Sequence, residues 1–266
     1  MNILKNLEKQ DVKMPVFFIG HGNPMNGILE NDYTRGWKKA FENVPKPTAI
    51  VVVSAHWETR GTQITAMKKP RTIYDFYGFP PELFAAKYDV TGNPELAKEV
   101  AEKLKNRLIE LDENWGLDHG SWTILKHLYA EADIPVLQLS LDYGKSAKEH
   151  YELAKELAFL REKGVLIIGS GNLVHNLRMA DFRNSKKYDW AISADNKFKN
   201  LILSGEHDKL IKYESLGNDA ALAIPSAEHF LPLLYVLALV NENETVEIFN
   251  DSIDLGSISM TSVKIG

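Results

Sequence analysis

The chain has 266 residues, and its 31 Lys and Arg stand against 36 Asp and Glu, so its formal net charge is −5. This length suits one large α/β domain or two small ones. The mild acidity argues against a nucleic-acid-binding protein, which usually carries a basic stripe. Because the sequence contains no cysteine, it excludes disulfide scaffolds, Cys-ligated zinc, iron–sulfur clusters and thiol nucleophiles.

The sequence predicts neither a secretory signal nor a membrane anchor. Residues 1–13 form a polar N-terminal extension that lacks the apolar core of a signal peptide. The longest apolar stretch, 231–240, is much shorter than the roughly 20 residues that span a bilayer. We therefore expect a cytoplasmic protein with no membrane partner.

Four short apolar runs predict buried strands. Apart from Gln138, each is continuously apolar, which is typical of strands in a parallel sheet that is covered on both faces. In chain order they are Val16–Ile19, Ala49–Val53, Pro135–Leu139 and Val165–Ile168.

Helical patterns lie between these runs. In residues 94–108 Pro94 suits the first helical position, and an i, i+4 apolar stripe follows. That stripe consists of Leu96, Val100, Leu104 and Leu108. Residues 146–162 form a second helical pattern, with Leu153, Leu157 and Leu160 on one side.

The segment 68–84 is aromatic and contains prolines, so we expect a long loop of the kind that often covers a site. Strands that alternate with helices predict the α/β class, with a mostly parallel sheet covered on both faces. No linker or repeat divides the chain, so the sequence predicts a single domain.

Three of the eight histidines, His21, His56 and His175, each follow a predicted strand. The C-terminal ends of parallel strands meet at one edge of a sheet, where ligands bind. Because strand-end side chains are held in fixed relative positions, such sites commonly hold a catalytic metal. Neutral imidazole suits Zn, Fe or Cu better than Mg or Ca, so the sequence predicts a mononuclear imidazole site.

The other histidines are less informative when each is taken alone. His127 lies in a helical pattern, His150 among charged residues and His207 in a polar turn, so we expect hydrogen-bonded structural roles. His119 lies in a turn at which Ser121 is a candidate N-cap for a helix that starts at Trp122.

Two further motifs remain open from the residues alone. His229 lies beside Glu228 at the start of an apolar helix, and it is a metal ligand, a helix-terminal residue or a partner of Glu228. The segment 169–172 reads GSGN and lacks the full glycine pattern of a phosphate-binding loop. Ser170 does not lie in a G-x-S-x-G motif, which argues against a serine hydrolase.

Five segments together resemble a known family. They are GHGNPMN (20–26), SAHWE (54–58), LDHGSW (117–122), GSGNLVHNL (169–177) and AEHFLPLLY (227–235). In this order and at these spacings, the set resembles the LigB-type class III extradiol ring-cleavage dioxygenases, in their 4,5-DOPA dioxygenase-like branch. The resemblance covers nearly the whole chain.

The resemblance implies a single catalytic domain over residues 1–266, an αβα sandwich that holds one divalent metal per chain. It implies that His21, His56 and His229 are metal ligands and that His175 is a fourth ligand or an acid–base group. His119 corresponds to a second active-site histidine that faces the substrate and oxygen.

The implied reaction inserts both atoms of O2 into a catechol-type substrate such as L-DOPA. It breaks the ring bond beside the two hydroxyl-bearing carbons. A neutral histidine can remove a catechol proton and a protonated one can return it. Aromatic residues of the predicted loop, Tyr74, Phe76 and Tyr77, are candidates to line the ring's pocket. The expected partner is a small aromatic molecule, and we expect a monomer or a small homo-oligomer.

The metal and the reaction class have alternatives. Non-haem Fe(II) oxygenases typically use two histidines and one carboxylate, whereas the third position here is His229, with Glu228 expected to point elsewhere. Three imidazoles suit Zn²⁺, so zinc and non-haem Fe(II) are both candidates. There are two competing interpretations. One is a zinc-dependent hydrolase with Glu228 or His175 as base. The other is a non-catalytic binding relative, and the intact set of five histidines argues against it.

Overall fold

The structure, a computed structural model, describes residues 13–183 and 186–266. The predicted polar extension, residues 1–13, therefore lies outside the described residues except for Lys13. Within the described ranges, no helix combines the length and the apolar character that crossing a membrane requires.

The strands form one large sheet and one small hairpin. In chain order they are β1 (Val16–Gly20), β2 (Ala49–Thr59), β3 (Gln63–Thr65), β4 (Glu110–Asp112), β5 (Val136–Asp142), β6 (Val165–Gly171), β7 (Val246–Phe249), β8 (Ile253–Asp254), β9 (Ile258–Ser259) and β10 (Ser262–Ile265). The large sheet has the order β4-β3-β5-β2-β6-β1-β10-β7, and β8 pairs with β9. The central strands β5, β2, β6 and β1 are parallel neighbours, whereas β3 and β10 join them antiparallel. The predicted mostly parallel sheet is confirmed.

Helices cover both faces of this sheet. In chain order they are α1 (Asp32–Phe41), α2 (Pro81–Ala85), α3 (Pro94–Lys103), α4 (His119–Leu128), α5 (Ala147–Lys155), α6 (Ala158–Arg161), α7 (Asp189–Leu203), α8 (His207–Ile211), α9 (Asn218–Ala223) and α10 (Leu231–Leu237). Short 3-10 turns lie at Pro24–Gly27, Lys105–Arg107, Leu177–Met179 and Tyr213–Ser215.

Successive residues of a strand point to opposite faces, so β1 contributes to two separate cores. Phe17 packs in the core that contains Trp37 of α1 and Trp122 of α4. Phe18 packs in the other core, which contains Phe198 of α7 and Leu234 of α10. The protein is thus a single α/β domain with helices on both faces of its sheet, and the predicted αβα sandwich is confirmed.

Two predicted helices have different bounds in the structure. The helix predicted over 94–108 ends at Lys103, and Leu108 has a φ of 51° with 79% of its surface exposed. Leu108 therefore does not belong to the buried stripe, because a 3-10 turn redirects the chain towards β4. The pattern over 146–162 forms two helices, α5 and α6.

Candidate metal centre

His21 directly follows β1 and is buried at the end of the sheet. Its Nδ1 lies 2.9 Å from the Ser170 hydroxyl oxygen, and that hydroxyl donates its proton to the Gly120 carbonyl at 2.5 Å. The Ser170 oxygen therefore accepts a hydrogen bond from His21 Nδ1–H. Because a neutral imidazole carries one N–H, the lone pair of His21 is on Nε2.

His56 lies inside β2, so the prediction that the strand ends before it is wrong. The pairing of β2 with β5 shifts register between Val53 and Glu58, and such an irregularity redirects side chains without ending a strand. His56 Nε2 lies 3.0 Å from His21 Nε2. Its Nδ1 lies 3.3 Å from Asp75 Oδ2.

His119 is the first residue of α4. The N-cap is Asp118, whose carboxylate accepts a hydrogen bond from the Ser121 backbone N–H at 3.1 Å. The prediction that Ser121 caps a helix from Trp122 is therefore wrong, because Asp118 supplies the capping carboxylate three residues earlier. Burial raises the pKa of Asp118, and the nearby Asp75 carboxylate adds to this effect.

Gly120 brings the N-terminus of α4 against the strand ends. A Cβ at this position would lie 2.8 Å from Ser54 Oγ and 3.0 Å from His56 Cδ2. The absence of a side chain thus lets His119 approach His56, and their ring centroids lie 4.0 Å apart.

His229 lies just before α10, and Glu228 holds one side of its ring. Glu228 Oε1 is 3.0 Å from His229 Nδ1, so the expectation that Glu228 points elsewhere is wrong. His229 Nε2 is buried and has no hydrogen-bond partner among the described residues. The ring of His175 stacks on that of His229, with centroids 3.4 Å apart and planes 8° from parallel.

The five histidines of the motifs therefore converge at one end of the sheet. Their nitrogen atoms fall into two close groups. One group contains His21, His56 and His119, and the other contains His175, His229 and the Glu228 carboxylate; within each, the ligand atoms lie within 4.8 Å of one another. The two groups adjoin, because the centroid of His229 is 5.0 Å from that of His56 and 5.4 Å from that of His21.

The remaining three histidines lie elsewhere and contact other groups. His127 Nε2 is 2.6 Å from the Asn26 carbonyl oxygen. His207 Nδ1 is 2.9 Å from the Tyr151 hydroxyl. His150 is fully buried between the Tyr235 hydroxyl, at 2.9 Å, and the Asp142 carbonyl, at 3.2 Å.

Burial keeps the rings of His21, His56, His175 and His229 neutral. Desolvation lowers the pKa of His21, His56 and His229 well below the usual value, and repulsion from neighbouring imidazoles lowers it further. For His175, burial and then the neighbouring His119 lower the pKa to about 4. Neutral rings present lone pairs, which is the form that binds metal.

The donor set fits a divalent metal ion. The Nε2 atoms of His21 and His56 face each other at 3.0 Å, a separation that two ligands at about 2.0–2.1 Å from one ion can span. The unpartnered, buried Nε2 of His229 is a third donor, and burying such a group without a partner is costly. Glu228 on its Nδ1 resembles the carboxylates that orient metal-bound histidines.

The loop before α2 contributes a residue that the sequence analysis missed. Asp75 Oδ1 accepts a hydrogen bond from the His119 backbone N–H at 2.9 Å, and its Oδ2 accepts one from His119 Nδ1 at 2.9 Å. Burial alone would raise the pKa of Asp75, but its hydrogen bonds with His119 and its electrostatic interactions with the His119 and His56 rings lower it overall. The sequence offers one signal for this role of Asp75, which is that it is a single carboxylate among aromatic residues.

The aromatic residues of this loop differ in their contacts. The Phe76 ring meets the His119 ring edge-on, with centroids 5.6 Å apart, and the Tyr74 hydroxyl donates to the Ala86 carbonyl at 2.6 Å. Tyr77 is 92% exposed at the loop tip, so it does not line the cluster in this conformation.

Comparison with known proteins gives matches along almost the entire chain. Residues 16–265 match a family model described as the catalytic LigB subunit of aromatic ring-opening dioxygenase. A protein of Escherichia coli K12 named 4,5-DOPA dioxygenase extradiol is 45% identical over 99% of both chains. One of the same name from Beta vulgaris is 38% identical over 93% of this chain and 95% of its own. A solved structure of an uncharacterized Escherichia coli K12 protein superposes with a TM-score of 0.83 at 42% identity, covering 96% of this chain and 100% of that one.

Proposed function

Because the chain belongs to the LigB family and is an extradiol ring-opening dioxygenase, we propose that it cleaves a catechol-type substrate such as L-DOPA with O2, using one divalent metal ion. The observation that supports this proposal is the convergence of five histidines at one end of the sheet. The relatives named for 4,5-DOPA suggest the substrate.

In this proposal His21, His56 and His229 hold the metal through their Nε2 atoms. When bound, Fe(II) would activate the catechol as a Lewis acid and supply the redox chemistry that O2 requires. The ring of His175 is nearly parallel to that of His229, and the in-plane lone pairs of parallel rings do not converge on one ion. This geometry favours His175 as an acid–base group over a fourth ligand.

The two remaining histidines handle protons. A neutral His175 accepts a catechol proton, and its depressed pKa keeps it neutral before substrate binds. His119, whose Nδ1–H is held by Asp75, presents its other nitrogen on the side opposite that carboxylate. Proton transfer by positioned groups of this kind typically contributes 10²–10⁴-fold to rate.

The zinc hydrolase alternative has weaker support. One of its two candidate bases, Glu228, is engaged by the Nδ1 of His229 and by the Ser226 hydroxyl, which donates to it at 2.9 Å; the other, His175, serves either reaction. A carboxylate with these partners orients a ligand instead of activating water.

Oxygen uptake during ring opening tests the proposal. Metal-free protein is loaded with Fe(II) under argon and mixed with L-DOPA and ¹⁸O2, and the product is reduced with borohydride to prevent oxygen exchange. We expect one O2 consumed per substrate, a yellow product before reduction and two ¹⁸O atoms in the reduced product. His56→Ala, treated identically, should give neither. Absence of O2 uptake with both L-DOPA and catechol would contradict the proposal.

A further inference from the structure

Asp75 is a single carboxylate shared by two rings of the cluster. Its Oδ2 lies 2.9 Å from Nδ1 of His119 and 3.3 Å from Nδ1 of His56, and its Oδ1 accepts the His119 backbone N–H at 2.9 Å. The side chain is 17% exposed. Asp75 therefore faces three nitrogen atoms at one end of the sheet.

The backbone on both sides of Asp75 is anchored to α4 and the segment before it. The Ile73 N–H donates to the Leu117 carbonyl at 2.8 Å, and the Trp122 indole N–H donates to the Ile73 carbonyl at 3.0 Å. Phe76 packs against His119 on the other side. Hydrogen bonds and packing thus fix the position of the segment that carries the Asp75 carboxylate.

The shared oxygen determines where each ring carries its proton. An ionised carboxylate only accepts hydrogen bonds, so His119 presents Nδ1–H to it at 2.9 Å. At 3.3 Å from His56 Nδ1, the same negative charge favours a proton over a lone pair on that atom as well. Each neutral imidazole then has its lone pair on Nε2. For His56 that atom is the one that lies 3.0 Å from Nε2 of His21, and two lone pairs at this distance are compatible only with a cation between them.

We propose that Asp75 is a positioning residue that fixes the tautomer of a metal ligand, His56, and of an acid–base group, His119, at the same time. The roles given to the two histidines and the bound metal rest on the proposed function, whereas the tautomer assigned to His119 does not. One carboxylate therefore couples metal binding to proton transfer. Because Asp75 lies in the loop before α2, both depend on the position of that loop.

Asp75→Asn is a nearly isosteric test, because an amide offers one acceptor oxygen and an NH2 donor. If the amide oxygen keeps the His119 backbone N–H, the NH2 group faces both Nδ1 atoms. Each ring must then move its proton to Nε2 or turn away. Asp142→Asn is the matched control, since Asp142 is a buried aspartate at the end of β5 that contacts Lys145 and the Gly144 N–H.

Long-range ¹H–¹⁵N NMR of the zinc-loaded protein at pH 7.5 reads the tautomers directly, with the ring peaks assigned through bonds from the backbone of each histidine. We expect the Nδ1–H form for His56 and His119 in the wild type and in Asp142→Asn. In Asp75→Asn at least one of the two should change to the Nε2–H form, while His150 and His207 stay unchanged. An Nε2–H form of both rings in the wild type would overturn the proposal, even if Asp75→Asn did not fold.

Metal affinity and kinetics supply the second readout. In Asp75→Asn we expect metal affinity to fall about 10–100-fold and kcat to fall by a similar factor, with the KM for L-DOPA changed less than about threefold. Unchanged tautomers, or metal affinity and kcat both within twofold of the wild type, would overturn the proposal. If the wild type opens no catechol ring, the proposed function fails, and the tautomer and metal measurements still decide the role of Asp75.

Discussion

Nδ1 of four of the clustered imidazoles lies beside a protein oxygen. That oxygen belongs to Ser170 for His21, to Glu228 for His229 and to Asp75 for His56 and His119. Because each neutral ring has one N–H, these contacts leave Nε2 free for a ligand. At the residue scale, the contacts of Nδ1 with protein oxygens therefore determine which nitrogen of each ring can bind a ligand.

His119 and His229 are expected to respond differently to removal. His229→Ala should lose most bound metal, since the variant lacks the unpartnered buried donor. His119→Ala should keep its metal, while ring opening falls by about 10² or more, the scale of losing an acid–base group. Elemental analysis after dialysis, with O2 uptake on L-DOPA, measures both.

His207→Ala and His127→Ala are the controls and should keep metal. Loss of metal from His119→Ala as complete as from His229→Ala would instead support the alternative ligand set of His21, His56 and His119, whose nitrogen atoms also lie within 4.8 Å of one another.

His150 is expected to make stability depend on pH. Burial lowers its pKa from 6.5 to about 4 in the folded protein, so below about pH 6.5 the unfolded chain binds a proton that the folded chain does not. The free energy of unfolding should therefore fall as pH drops from 6.5 towards 4, by about 3 kcal/mol in total from this group.

Urea unfolding of metal-free protein at pH 7.5 and pH 4.5 measures this contribution. His150→Gln keeps a donor for the Asp142 carbonyl and an acceptor for the Tyr235 hydroxyl but has no proton to gain. It should lose less stability than the wild type between the two pH values, because the other buried histidines act equally in both proteins. Identical losses would show that His150 does not contribute.

At the scale of elements, the end of β6 and the segment before α10 are in direct backbone contact. The Asn172 N–H donates to the His229 carbonyl at 2.9 Å. A Cβ at Gly171 would lie 2.1 Å from that carbonyl oxygen, and one at Gly169 would lie 2.5 Å from the Pro232 carbonyl oxygen. The two glycines of the GSGN segment thus let the chain from His229 to Pro232 approach the sheet, which accounts for its glycine-rich sequence.

Gly171→Ala should therefore displace His229. We expect a loss of about 1–3 kcal/mol of folding free energy, as is usual for overpacking, together with weaker metal retention. Gly144→Ala is the control, because the nearest atom to its Cβ would be Asp142 Oδ1 at 3.2 Å. Urea unfolding and metal titration measure the effect, and equal behaviour of the two variants would refute it.

At the scale of the whole molecule, one buried cation ties distant parts of the chain together. Arg161, at the end of α6, donates to the Met14 and Leu239 carbonyls, each at 2.6 Å, and pairs through both terminal nitrogens with Glu244. It is fully buried, and Glu244 is 15% exposed. These contacts join the chain before β1, the chain after α10 and the turn before β7.

Arg161→Met should destabilise the fold by about 3–5 kcal/mol, because it leaves a partly buried carboxylate and two carbonyls unpaired. Arg107→Met removes the corresponding pair with Glu156 at the surface and should cost less than about 1 kcal/mol. Urea unfolding at pH 7.5 compares the two, and similar losses would contradict the structural role of Arg161.

The sequence predicted the fold better than it predicted the site. Continuous apolar runs located β1, β2, β5 and β6, because a strand buried on both faces cannot expose polar side chains. The bounds of the helix from Pro94 and of β2 were wrong, since a local turn and a register shift ended or extended them. Neither a local turn nor a register shift changes the hydrophobic periodicity of the sequence.

The sequence by itself determined the fold class and the five motifs that carry the clustered histidines. Only the tertiary structure decided which atoms of these rings face one another, that Glu228 contacts His229, and that Asp75 serves two rings. The physical reason is that local pattern records which side chains are buried, whereas a hydrogen bond depends on distances of a few tenths of an ångström between segments far apart in the chain. Those distances are set when helices pack on both faces of the sheet, and no single segment contains them.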